Sequence, residues 1–227
     1  MQRLIKIYSF AYLVLLTFVV TLLCLYPKME LHLLLNSFHT PLLDTFFKYY
    51  SMIAEGPVYI LALLPLFWKK YRMTLFFGLS ELTAGGVVQV LKHIFSSDRP
   101  IVLFENYRDA VLPIVQGVHL HHSNSFPSGH ASTFFVFCTC CALFLAYRHG
   151  LKRGSTASYP AVCCLLLILL AALGAYSRVY LSQHFLSDVC VGSIIGFLTP
   201  CLLFHFFGEK LLNLKNNDTT THDETNI

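Results

Sequence analysis

Apolar positions in this chain run on for whole segments instead of recurring at a helical or strand period. Ile7 to Tyr26 carries no charge, and a helix of about 20 residues rising ~1.5 Å per residue matches the ~30 Å hydrocarbon layer of a bilayer. Further apolar runs extend from Met52 to Trp68, Met73 to Phe95, Ala131 to Tyr147, Pro160 to Arg178 and Val189 to Phe207. The pattern predicts an all-α protein, a polytopic membrane helical bundle with about six transmembrane helices. Between the first two runs, Leu31 to Tyr50 mixes apolar residues with His32, Asn36, His39, Pro41, Asp44 and Lys48, which predicts an interfacial amphipathic stretch and not a seventh span. Arg3 and Lys6 precede the first run as they would in a signal peptide. That run is too long and lacks a small-residue cleavage site, so an uncleaved first helix is expected. Residues 213–227 are polar, rich in Thr and Asn and without apolar period. They are expected to form a disordered cytoplasmic tail behind a single transmembrane domain over 1–212.

Composition supports the membrane reading, since 56% of residues are hydrophobic and only 12% charged; a soluble chain carries about twice that charge. Twenty Phe and twelve Tyr suit the boundary between acyl tails and headgroups. The cysteines, Cys24, Cys138, Cys140, Cys141, Cys163, Cys164, Cys190 and Cys201, all lie within apolar runs and read as small buried hydrophobes, not zinc ligands or disulfides. A net charge of +4, scattered along the chain, gives no basis for nucleic-acid binding. Arg3, Lys6, Lys69, Lys70, Arg72, Arg148, Lys152, Arg153, Lys210 and Lys215 fall on one face, ten of the sixteen cations. Lys28, Lys48, Lys92, Arg99, Arg108 and Arg178 fall on the other. Because cytoplasmic loops collect Lys and Arg, both termini are expected in the cytoplasm.

Three polar clusters stand where apolar helices meet water on the opposite, outward face. They are Lys92-His-Ile-Phe-Ser-Ser-Asp-Arg99-Pro100, Phe126-Pro127-Ser128-Gly129-His130, and Ser177-Arg178-Val-Tyr-Leu-Ser-Gln-His184-Phe-Leu-Ser-Asp188. Singly each has a plain reading: a snorkelling lysine, a turn, a headgroup-facing histidine. In combination they hold the parts that phosphoryl transfer needs, which are positioning and charge stabilisation. Lys92, Arg99 and Arg178 supply three cations, with the guanidinium forks matching phosphate oxygens. Ser128 and Gly129 follow a proline suited to a helix start, where free N–H groups and the helix dipole favour an anion. His184 and Asp188 are four apart, so on a helix beginning near Ser182 the carboxylate would orient one ring nitrogen and leave the other to attack phosphorus. His130 is placed to protonate the departing lipid oxygen and then to activate water.

The spacings K-x6-R-P, P-S-G-H and S-R-x5-H-x3-D resemble the full signature of the type 2 phosphatidic acid phosphatase superfamily, over Lys92 to Asp188. The resemblance implies His184 as nucleophile, Asp188 as its orienting partner and His130 as general acid and base. It assigns phosphate binding to Lys92, Arg99, Ser128, Gly129 and Arg178. It also implies hydrolysis without a metal ion or other cofactor, three fixed cations taking over the neutralisation that magnesium supplies elsewhere. The 1–212 domain is then expected to be a lipid phosphatase of the bacterial inner membrane with a periplasmic active site. The expected substrate is a lipid A phosphate, with undecaprenyl diphosphate or phosphatidylglycerophosphate as alternatives. Partners are the bilayer and an outer-leaflet lipid phosphate; no obligate protein partner is expected. The signature is also similar to that of vanadium-dependent haloperoxidases, which are soluble, and the fold could serve a non-enzymatic lipid binder or transporter.

Four features lie outside the signature. Glu81, eleven residues before Lys92, is expected to face the bundle interior in an interhelical hydrogen bond, with the floor of the substrate pocket as its sharper alternative. Glu55 is open in the same way. His119, His121 and His122 read as a solvated loop, having no carboxylate or Cys at ligand spacing. The stretch from Ile101 to Phe126 is expected to cover the site.

Overall fold

The computed structural model describes residues 2–105, 111–150 and 159–212. The expectations for the 213–227 tail and for Arg108, Lys152, Arg153 and Lys215 lie outside them. The helices are α1 (Gln2–Leu25), α2 (Lys28–Leu35), α3 (Pro41–Met52), α4 (Gly56–Phe95), α5 (Pro100–Glu105), α6 (Gly129–Gly150), α7 (Tyr159–Tyr180) and α8 (Leu186–Leu212), with no strand among the described residues. Five segments are long and apolar enough to cross a membrane: Gln2–Leu25, Tyr71–Glu105, Gly129–His149, Tyr159–Tyr180 and Leu186–Gly208. Gly56–Pro65 is a shorter apolar helix, so the chain is a polytopic helical bundle of about six spans.

The second and third expected spans, Met52 to Trp68 and Met73 to Phe95, are joined as α4 instead of being separated by a loop. The helix is not straight. The Tyr59 hydroxyl donates to the Phe77 carbonyl at 3.4 Å, and both rings stand edge-on to Phe137, at 5.8 and 5.6 Å. Eighteen residues of straight helix would separate them by ~27 Å, so the element folds back between Tyr59 and Phe77. The expected interfacial stretch is two short helices, α2 and α3. Thr40 caps α3 by accepting from Leu43 N–H at 3.2 Å, with Pro41 at the first helical position.

α6, α7 and α8 form the centre, with α1 and α4 packed around them. α1 is tied in by its tyrosines: Tyr12 stacks on Phe197 at 4.1 Å, and hydroxyl bonds link Tyr8 to Thr139 and Tyr12 to Ser193 at 3.1 and 3.2 Å. Such polar contacts substitute for a hydrophobic drive that is missing between helices in lipid. The closest crossing is between α6 and α8. A Cβ at Gly192 would overlap the Ser128 carbonyl oxygen, and one at Gly196 that of Ser132. Gly192-x-x-x-Gly196 thus lets one helix lie against the backbone of the other.

α8 begins at Leu186, four residues later than expected, because Ser182 takes a left-handed conformation (φ 53°) that ends helical geometry after α7. Asp188 stands at the third helical position and accepts from Phe185 N–H at 3.1 Å, half of a capping box.

These contacts predict opposite outcomes for two glycine substitutions. Gly192→Ala forces α6 and α8 apart, costing about 1–3 kcal/mol and most of the activity, because it displaces Ser128. Gly85→Ala, on α4 with nothing within 4 Å of its new Cβ, is neutral or stabilising by up to ~1 kcal/mol. Thermal unfolding in detergent and turnover of the two variants check this.

Candidate active site

Every residue of the three clusters comes from the end of a helix or the turn beside one. α4 ends with Lys92 in its last turn, Arg99 precedes α5, Ser128 precedes α6, Gly129 and His130 open α6, Arg178 closes α7, His184 sits in the turn after it, and Asp188 lies in the first turn of α8. The α6–α8 crossing joins two of these ends directly, Ser128 N–H donating to the Asp188 carbonyl at 3.0 Å. His130 lies within electrostatic reach of His184, Arg178, Arg99 and Lys92.

His184 is 2% exposed. Arg99 Nη1 stands 3.5 Å from its Nε2, and Ser125 Oγ stands 3.5 Å from its Nδ1. Asp188 Oδ2 is 3.6 Å from Nδ1, an ion-pair separation rather than a hydrogen bond. That carboxylate oxygen instead accepts from Ser125 Oγ at 2.5 Å. Burial pushes His184 down to about 3, with Arg99 and Arg178 acting in the same direction and Asp188 opposing them. The ring is therefore neutral at pH 7, as a nucleophile must be.

The cations are held by backbone oxygens and neutral side chains. Arg99 donates to the Ser123 carbonyl at 2.9 Å, the Gln183 carbonyl at 3.0 Å and Gln183 Oε1 at 3.3 Å. Lys92 donates to the Asn124 carbonyl at 2.9 Å, and Arg178 Nη1 donates to Ser51 Oγ. Arg178 Nε is buried without a hydrogen-bond partner among the described residues. Arg99 and Arg178 are both under 9% exposed, and Asp188 is the buried carboxylate among them. A buried surplus of positive charge with an unpaired donor is costly alone and is relieved by an anion.

The 119–124 loop contributes carbonyls, not imidazoles. His119 and His122 accept through their backbone oxygens from Gln183 Nε2 and Arg99 N–H, at 3.0 and 3.1 Å, while the His119 and His121 rings pack on each other at 4.8 Å. The interfacial helices brace the same turn from the other side. Asn36 Nδ2 donates to Ser182 Oγ at 2.6 Å and Tyr180 donates to Asp44 Oδ1 at 2.6 Å; His39 bridges Asn36 and Asp44 at 2.6 and 2.8 Å. Glu81 accepts from Thr133 Oγ1 on α6, the interhelical bond expected of it. Glu55 is exposed at the N-cap of α4, within electrostatic reach of Arg178.

Sequence reasoning missed Ser125, Gln183 and Ser51. Gln183 and Ser125 adjoin signature residues, so proximity to the motifs was a usable signal for them. Ser51 lies 127 residues from Arg178 and gave none.

A family model described as the PAP2 superfamily matches residues 73–211. A curated relative named putative undecaprenyl-diphosphatase YbjG, from Escherichia coli (strain K12), is 34% identical over 124 residues, 52% of this chain. The match takes in 50% of the relative, so the chain spans about half the length of the curated protein it matches. The crystal structure of Aquifex aeolicus LpxE is 28% identical with a TM-score of 0.59, covering 79% of this chain and 95% of that one. A PAP2-type phosphatidylglycerolphosphate phosphatase from Bacillus subtilis has a TM-score of 0.63 over 92% of this chain and 98% of its own; at 21% identity it bears on the fold alone.

Buried histidines make the fold acid-sensitive. His32 on α2, packed 5.2 Å from Phe185 with neither ring nitrogen bonded among the described residues, is pushed down by burial to about 4. His32 and His184 stay neutral when folded but take up protons below about pH 6.5 when unfolded, so stability falls as pH drops from there toward 4. His32 alone contributes on the order of 3 kcal/mol of that loss at pH 4. His32→Leu is expected to leave stability at pH 7 unchanged or improved, and to flatten the decline of the thermal midpoint between pH 6.5 and 4.

Proposed function

The chain belongs to the PAP2 superfamily, and on that footing we propose that it hydrolyses a lipid phosphomonoester or diphosphate through a phosphohistidine on His184. The observation that carries this reading is the neutral, buried His184 facing, among the described residues, a surplus of buried cations, one of which keeps an unpaired donor. A site built for a neutral ligand would not leave that charge uncompensated.

In the proposed first step, His184 Nε2 attacks phosphorus and the bond to the lipid oxygen breaks. The nonbridging oxygens are held by Lys92, Arg99 and Arg178 and by the Ser128 and Gly129 end of α6, and His130 gives its proton to the departing oxygen. In the second step, water loses a proton to His130 and attacks phosphorus, which breaks the P–N bond, releases inorganic phosphate and restores neutral His184. The fixed cations supply the charge neutralisation, so the reaction proceeds without a metal ion.

The first candidate substrate is a lipid A phosphate, presented from the outer leaflet to a periplasmic site with both termini cytoplasmic. Undecaprenyl diphosphate is the second, and the 34% identical relative named for that activity favours it. A non-enzymatic lipid binder is the less economical reading, since it leaves a neutral nucleophile beside the cations without purpose.

Purified protein should release phosphate from one of these lipids, with the rate unchanged by a chelator. His184→Ala should lower kcat at least about a thousand-fold. The acid limb of kcat/KM should lie below pH 5, because His184 is held down to about 3, and kcat should show an alkaline limb from loss of the His130 proton in the complex, where the bound phosphate favours the charged imidazole. Phosphate release that survives His184→Ala would sink the mechanism, and loss of activity in chelator restored by magnesium would sink its metal independence.

A further inference from the structure

Ser125 belongs to none of the signature spacings, yet it stands between the proposed nucleophile and its carboxylate. Its side chain is buried, with 1% of the residue exposed, and its Oγ lies 2.5 Å from Asp188 Oδ2 and 3.5 Å from His184 Nδ1. The backbone fixes it there: Ser125 N–H donates to the Ser97 carbonyl at 2.9 Å, and Phe126 N–H donates to Ser97 Oγ at 2.9 Å. The loop before Arg99 thus sets the position of a hydroxyl that reaches α8.

Counting protons decides what that hydroxyl does. A serine has one proton to give, and an ionised carboxylate only accepts. At 2.5 Å the proton goes to Asp188. Toward His184, Ser125 Oγ then offers only a lone pair, so Nδ1 must carry hydrogen. The opposite side of the ring gives the same answer independently. Arg99 Nη1, 3.5 Å from Nε2, can only donate, so Nε2 carries the lone pair. Asp188 does not select this tautomer unaided, because its nearer oxygen is 3.6 Å from Nδ1.

We propose that Ser125 is a positioning residue for the reaction, relaying Asp188 to His184 as Nδ1–H···Oγ–H···carboxylate and holding the ring with Nε2 free to attack. The proposal rests on the phosphohistidine reading above. When the Nε2–P bond forms and the P–O bond breaks, the ring keeps its Nδ1 proton and becomes cationic while the lipid oxygen takes the His130 proton. Ser125 forms no covalent bond. It passes the stabilisation of that cation from a carboxylate that it holds at 2.5 Å and that stands 3.6 Å from the ring, and when water displaces Nε2 the relay returns unchanged.

The test combines kinetics with the histidine tautomer in full-length protein, using Ser125→Ala and Ser125→Thr. Ser125→Ala is expected to lower kcat 10- to 100-fold with KM within about twofold, to slow phosphoenzyme formation in single turnover, and to shift His184 away from the Nδ1–H tautomer. The tautomer is read from 15N shifts of labelled histidine, with the His184 signal assigned by its loss in His184→Gln. Ser125→Thr, which keeps the hydroxyl, should retain the tautomer and recover most of the rate; a merely structural role would not make rate and tautomer move together. Wild-type His184 found as the Nε2–H tautomer would overturn the proposal even if Ser125→Ala fails to fold. So would a folded Ser125→Ala with unchanged kcat and tautomer. A wild-type protein that forms no phosphohistidine, but whose Nδ1–H tautomer still depends on Ser125, would sink the proposed reaction and leave the relay standing.

Discussion

A side chain at Gly192 or Gly196 would occupy the space now taken by the carbonyl oxygens of Ser128 and Ser132, so α6 and α8 touch backbone to backbone. Much of the site follows from that contact. The two helices begin at the same end of the bundle, and bringing their axes together brings their first turns together, until Ser128 N–H meets the Asp188 carbonyl at 3.0 Å. Two positive dipole ends then face one small volume. One end holds the Asp188 carboxylate, 3.6 Å from the ring of the candidate nucleophile, and the other presents Gly129 and His130. Separate the helices by the width of a methyl group, and the same residues would remain at their helix ends without sharing a site.

Concentrating positive charge there carries a cost that the neighbouring loop offsets. Arg99 and Lys92 donate to the Ser123, Gln183 and Asn124 carbonyls, which fix the cations by their dipoles without cancelling charge. The cations are therefore held in place while Asp188 and Glu55 compensate them only in part. An acidic partner for each would have given a quieter structure and a site with little attraction for phosphate. Arg178 shows the balance most clearly: Ser51 fixes one nitrogen of the guanidinium while Nε stays unpaired among the described residues. Neutral anchors fix direction, and the remaining charge is left for the anion.

Much of this was legible in the sequence because the two strongest signals are linear. An uninterrupted apolar run is enough to place a membrane helix, and a polar cluster at its end is enough to place that cluster at the interface. Glu81 was readable for the same reason, since a carboxylate in an apolar run needs a partner, and Thr133 is that partner. What was not legible depends on local geometry. α4 folds back where the hydropathy pattern asked for a separating loop, as the Tyr59 to Phe77 contact and their shared packing on Phe137 reveal. The start of α8 moved to Leu186 because Ser182 adopts a left-handed backbone that no pattern encodes. Four-residue spacing correctly brought His184 and Asp188 near each other, but it could not resolve the difference between a hydrogen bond and 3.6 Å, which is the gap that Ser125 bridges.

The interfacial helices complete the physical account, because they explain how a turn with a left-handed residue stays fixed next to the nucleophile. Ser182 gives its proton to the Pro113 carbonyl at 2.9 Å, so it can only accept from Asn36, which orients that amide with Oδ1 toward His39. Asp44 then ties His39 and Tyr180 together, one residue on α3 joining the interfacial segment to the end of α7. The chain of bonds crosses from α2 to α3 to α7 and returns to the turn that carries Gln183 and His184. That turn is therefore braced by α2 and α3 and by Arg99 and the 119–124 loop. The candidate nucleophile sits on that short connection, and its freedom is restricted both by these bonds and by Arg99 and Ser125, each 3.5 Å from a ring nitrogen.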